Sequence, residues 1–150
     1  MPTPIDPEFI TNGIRLATAP VFLLTAVASM IGTVAARLSR IIDRGRTIEE
    51  RYLTSQNPID VERFRQELKN LQFRGRLANL SIGLLTLCAF LIGLTIILLF
   101  LGETTLFENG RTSVWSFLGG VGMFLLALVC FLTETVIATQ VLDFRTLKRD

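Results

Sequence analysis

The sequence predicts an all-α integral membrane protein: a three-helix bundle with a long cytoplasmic antiparallel helical hairpin between spans 1 and 2. Three observations carry that expectation. Half of the 150 residues are hydrophobic and 19% are charged, a balance that would leave too much apolar surface in water for a soluble domain of this size. Three uncharged stretches, residues 16–36, 77–102 and 112–133, hold the apolar excess, and each reaches the roughly 20 helical residues that cross a bilayer. The charged segment between the first two stretches repeats apolar residues at alternating steps of three and four, the spacing of a helical seam.

Taken in chain order, residues 1–13 read as an outer segment, with three prolines within residues 1–12 suggesting irregular structure. Residues 14–37 form span 1. It differs from a signal peptide, which opens on basic residues and has an apolar core of about 7–15 residues; here Asp6, Glu8 and prolines come first, so the span is expected to be retained. Residues 38–76 form the hairpin, with Leu38, Ile41, Gly45, Ile48 and Tyr52 on one arm and Val61, Phe64, Leu68, Leu71, Gly75 and Ala78 on the other. Thr54 to Pro58 reads as the turn. Asn57 is placed as N-cap, Pro58 in the first helical position and Asp60 in the first turn, where a carboxylate suits the helix dipole. Folding about Gln56 and Asn57 sets Gly45 against Leu68, Gly75 against Leu38 and Tyr52 against Val61, small against large. Residues 77–102 are span 2, 103–111 an outer loop with an Asn109-Gly110 turn, 112–142 span 3 with a cytoplasmic extension, and 143–150 a cytoplasmic tail.

Charge sets the direction. Residues 37–76 hold ten Lys or Arg and the tail adds Arg145, Lys148 and Arg149, whereas the opposite side has only Arg15 and Arg111. Basic segments stay cytoplasmic, so three spans leave the N-terminus outside and the C-terminus inside. Trp115 suits the outer interface.

Candidate functional residues are few. Glu134 is the ionisable residue in an otherwise apolar helix, which marks it for attention. Counting 19 residues from Trp115 places it about 28 Å along the helix, near the inner boundary and level with Arg37, Arg40 and Arg76. Those four form a candidate membrane-level ion pair, read as a structural tie ahead of ion or proton handling. Thr18, Thr25, Ser29 and Thr33 share a face of span 1 with Ala36, beside Gly32. This face suits either a hydrated path or a close helix contact, the more frequent use of small residues in membranes. Because three helices enclose no lumen, a pore requires a homo-oligomer. Arg37, Arg40, Arg44 and Arg46 are candidate lipid-headgroup contacts, with topology-setting charge as the plainer explanation. Cys88 and Cys130 lie inside spans and read as packing residues.

The chain has no histidine, which removes the commonest metal ligand and general base. It has no phosphate-binding or dinucleotide fingerprint and no nucleophile with a base nearby in sequence. The Gly119-Gly120-x-Gly122 cluster is explained by close packing. The expectation is therefore a non-enzyme with no catalytic residue, cofactor, metal or nucleic-acid partner. Its expected partners are the lipid bilayer, further copies of itself, ions, and a cytoplasmic protein in the alternative reading. The leading expectation is a channel-like homo-oligomer for ion permeation. The alternative is a membrane-anchored accessory or scaffold protein whose hairpin binds a partner or senses anionic lipid.

Ala19-Pro20, followed by Arg37-Leu38-Ser39-Arg40-Ile41-Ile42-Asp43-Arg44-Gly45-Arg46, resembles the R-L-x-R-h-h-D-R-x-R signature of small bacterial membrane proteins in the domain of unknown function 2721 family. Residues 71–76, Thr133-Glu134 and Val141-Leu142-Asp143 resemble its other blocks. The resemblance implies a bacterial inner-membrane location and three spans, and it draws attention to Asp43 and Glu134. It implies no activity.

Overall fold

Apolar, uncharged runs flanked by charged residues with good helix propensity favour long helices in which every backbone group is satisfied internally. The structure is a computed structural model and describes residues 7–55, 57–104 and 110–146. Among the described residues there are three helices: α1 Pro7–Thr54, α2 Pro58–Thr104 and α3 Gly110–Thr146. All three are long and apolar enough to cross a membrane. At 1.5 Å per residue, α1 and α2 extend about 70 Å each, more than twice the roughly 30 Å hydrocarbon core, and the surplus is the charged part of each sequence.

The start of α1 departs from expectation. Residues 7–12 are helical where an irregular segment is predicted. Pro7 opens the helix, a position whose N–H has no helical partner in any case, so proline is compatible there. Residues 1–6 lie outside the described residues. Pro20 sits within α1 and is buried; membrane helices accommodate proline because neighbouring groups compensate the lost bond. The Asn109-Gly110 turn includes Asn109, which lies outside the described residues, while Gly110 is the first residue of α3.

The junction of α1 and α2 follows the expected chemistry. The Ser55 N–H donates to the Arg51 carbonyl at 3.0 Å. The Ile59 N–H donates to Asn57 Oδ1 at 3.2 Å, which makes Asn57 the N-cap. Pro58 is the first helical residue and Asp60 lies in the first turn. Gln56 is outside the described residues.

By packing, the chain divides into two compact units, Met1–Ile31 with Leu84–Leu125, and Gly32–Gly83 with Leu126–Asp150. In the first, Ala17, Val27, Leu85, Cys88, Ile92, Thr95 and Ser113 are buried. Leu91 organises its polar contacts: its carbonyl accepts from Thr95 Oγ1 at 2.8 Å and from Ser116 Oγ at 3.0 Å. Beside it Gly120 is buried, and a Cβ there would lie 3.1 Å from Ile92 Cγ1. Close approach of α3 to α2 therefore depends on Gly120. Gly119 would only touch the end of Leu91, and Gly122 faces open space.

In the second unit, Val34, Ile41, Ile48, Ala78, Ser81, Ala127 and Glu134 are buried. Leu38, Gly45, Tyr52, Val61, Phe64, Leu68, Leu71 and Gly75 are half-buried. The residues at three-four spacing are thus buried or half-buried. Arg44 pairs with Glu67 at 2.9 Å. A Cβ on Gly75 would lie 3.8 Å from Ile41 Cγ2 and 4.0 Å from Leu38 Cδ1, ordinary contact distances. The expected fit of small Gly45 against a large side chain does not occur, since a Cβ at Gly45 meets nothing within 4 Å. Gly45 therefore contributes only helix-weakening freedom, and Gly45→Ala is expected to raise stability by about 0.5–1 kcal/mol, measured as a shift in denaturant midpoint in mild detergent.

Candidate functional site

Glu134 is fixed by the register of α3. Ser113, Gly120, Ala127 and Glu134 recur every seven residues and all are buried, so the face that packs against other helices ends in a carboxylate. Phe131 stands one turn before Glu134 on the same side, and Thr135 follows Glu134 directly. Arg37 follows buried Val34 by three residues on α1, and Arg74 precedes buried Ser81 by seven on α2. All three charged residues belong to the second unit.

The Glu134 side chain is 1% exposed, and its two oxygens are divided between two arginines. Oε2 accepts from Arg37 Nη1 at 2.9 Å. Oε1 accepts from Arg74 Nε at 3.1 Å and Nη2 at 2.9 Å. Arg37 Nη1 also donates to Thr135 Oγ1, whose own hydroxyl donates to the Phe131 carbonyl at 3.0 Å. The Arg37 guanidinium lies 5.2 Å from the Phe131 ring centroid, within range of cation–π attraction. One carboxylate thus ties segments of all three helices together. Burying an ion is tolerated only when its hydrogen-bonding capacity is met, and here no buried side-chain polar atom lacks a partner among the described residues.

Of the four residues expected at this site, the structure brings together Arg37 and Glu134 but not Arg40 or Arg76, which are both exposed. The reason is helical phase. At about 100° per residue, Arg76 points some 200° away from Arg74, and Arg40 lies one turn beyond Arg37. Depth alone favours Arg76. The seven-residue ladder of buried Ser81, Cys88 and Thr95, extended backwards, leads to Arg74.

The expected lipid-contact arginines also separate. Arg37 is engaged by Glu134 and Arg44 by Glu67, whereas Arg40 and Arg46 are exposed and form no ion pair among the described residues. Thr18, Thr25, Ser29 and Thr33 are all exposed, as are Gly32 and Ala36. The Thr18 hydroxyl donates to the Ile14 carbonyl at 2.8 Å and that of Thr25 to the Val21 carbonyl at 3.3 Å. Such back-bonding lets hydroxyls face an apolar medium at little cost. A Cβ on Gly32 would meet nothing within 4 Å, so the space beside Gly32 is open. Cys88 is buried, Cys130 is half-buried, and both are free thiols. Among the described residues no group of three His, Cys, Asp or Glu side chains is placed to hold a metal.

The sequence pattern of one family, described as Protein of unknown function (DUF2721), matches residues 17–144. The match spans all three helices and the Arg37, Arg74 and Glu134 cluster. No curated protein and no solved structure gives a match.

Proposed function

The chain belongs to the DUF2721 family of membrane proteins, and on that premise we propose that it is a homo-oligomeric assembly whose protomers meet through α1 around an ion-permeation path. The observation that carries this reading is the small polar face of α1. Thr18, Thr25, Ser29, Gly32, Thr33 and Ala36 are exposed on a helix apolar enough to span a membrane. Lipid offers such a face nothing that a second copy would not offer better, because small residues let backbones approach and hydroxyls pair across helices. Repeated about a symmetry axis, the same face supplies the hydroxyl rings that line pores.

In this assembly the termini are arranged with the N-terminus outside and the C-terminus cytoplasmic in a bacterial inner membrane. The charged parts of α1 and α2 form an antiparallel cytoplasmic hairpin that surrounds the inner mouth as a collar. The pairing of Arg44 with Glu67 and the approach of Gly75 to Ile41 and Leu38 support that arrangement. The Arg37, Glu134 and Arg74 cluster acts as a structural tie, and the protein carries no catalytic step.

Protein in lipid nanodiscs is expected to run as a multimer, and in liposomes to conduct ions. Ser29→Leu or Thr33→Leu should reduce flux at least tenfold while leaving helicity unchanged. A monomer in several mild detergents and in nanodiscs would exclude the assembly.

A second reading, a membrane-anchored scaffold, is favoured by one observation. Leu53 and Ile59, which flank the junction of α1 and α2, are 77% and 78% exposed, and exposed apolar side chains beside a charged surface suit a protein partner. Under this reading liposomes show no conductance in any condition.

A further inference from the structure

The charge count at the Glu134 cluster does not close. One carboxylate faces two guanidiniums, so the group carries a net charge of +1. Its donors are not exhausted either. Arg37 uses only Nη1 and Arg74 only Nε and Nη2, leaving Nε and Nη2 of Arg37 and Nη1 of Arg74 without partners among the described residues. The two arginine side chains remain 32% and 21% exposed, against 1% for Glu134. The cluster therefore presents unpaired, positively charged donors outward from a buried carboxylate.

Its surroundings are apolar. At the same level, Leu132 and Val136 are on the face of α3 turned away from Glu134, Phe73 adjoins Arg74 on α2, and Ile42 follows Arg37 on α1 by about a turn and a half. All four are large and exposed. Exposed apolar side chains at this level on all three helices suit a membrane boundary layer better than bulk water. A net charge there is costly unless an anion accompanies it, and guanidinium matches phosphate in geometry and charge.

We propose that the Arg37, Glu134 and Arg74 cluster binds the phosphate of an acidic phospholipid, whose acyl chains run along the exposed apolar surface of the helices at this level. The binding uses the charge left over from the helix tie and is independent of protomer assembly.

The test uses full-length protein in neutral detergent, offered equimolar phosphatidylglycerol and phosphatidylcholine with identical acyl chains, with retained lipid read by native mass spectrometry. Phosphatidylglycerol is expected in about fivefold excess, the preference that roughly one unit of basic charge near a membrane surface confers. Arg74→Gln makes the cluster neutral and should abolish the excess. Glu134→Gln leaves both arginines uncompensated and should increase it. Arg40→Gln combined with Arg46→Gln should leave most of it in place.

Equal retention of the two lipids by the unaltered protein overturns the proposal. So does an excess that survives in folded Arg74→Gln, or one that Glu134→Gln fails to raise. Displacement of phosphatidylglycerol by millimolar inorganic phosphate would make this a free-anion site and also overturn it. Should Arg74→Gln lose its helicity, the phosphate competition and Glu134→Gln still decide the question.

Discussion

Glu134→Ala is expected to destabilise the protein by about 2–4 kcal/mol, the loss expected when one member of a buried ion pair is removed and its partner charges are left behind. The carboxylate accepts three hydrogen bonds from Arg37 and Arg74 at 2.9 to 3.1 Å. Without it two guanidiniums face each other with only Thr135 and the Phe131 ring for compensation. Their partial exposure lets water relieve some of the penalty, which holds the effect below the full value for a dry site. Arg76→Gln removes an exposed charge of the same type two residues from Arg74 and should change stability by less than about 0.5 kcal/mol.

Replacing all three charged residues together, as Arg37→Met, Arg74→Met and Glu134→Leu, should recover most of the stability, because the penalty lies in orphaned charge more than in lost attraction. Unfolding by graded SDS addition in mild-detergent micelles, followed by helicity, measures each variant. If Glu134→Ala unfolds at the same SDS fraction as Arg76→Gln, the cluster does not tie the helices.

The spans were legible because lipid imposes a one-dimensional rule, about 20 apolar residues without charge, which needs no knowledge of neighbours. The seam of the charged segments was legible for a related reason: Ile41, Ile48 and Ala78 follow a step that only a helix face can produce. Arg37 is legible as a partner of Glu134, but Arg74 is harder, because depth and rotation both matter and depth alone does not separate neighbouring arginines. Arg76 satisfies depth alone, whereas Arg74 satisfies both.

Three prolines suggest irregular structure before span 1, yet residues 7–12 are helical, because a proline at the first helical position is compatible with a helix. Gly45 and Gly122 show a further limit. A glycine at seam spacing or in a cluster suggests close packing, yet the space beside each is open, and only the positions of neighbouring side chains distinguish them from Gly120.

That distinction leads to the second large effect. Gly120→Val is expected to destabilise the protein by about 1–3 kcal/mol, the usual range for overpacking a filled site, whereas Gly122→Ala should be neutral or slightly stabilising. The first atom of any side chain at position 120 would already lie 3.1 Å from Ile92 Cγ1, 3.5 Å from Leu91 Cβ and 3.6 Å from the Cys88 carbonyl oxygen. None of these neighbours yields easily. Ile92 is fully buried and Cys88 contributes backbone, so relief requires α3 to move away from α2. Such a shift would stretch the 3.0 Å bond from Ser116 to the Leu91 carbonyl, formed one turn earlier on the same helix. Gly120→Ala adds a single carbon and should fall between the two, its sign set by whether Ile92 can yield a few tenths of an ångström. SDS unfolding of the three variants gives the order, and Gly120→Val matching Gly122→Ala would show that α3 does not approach α2 as closely as described.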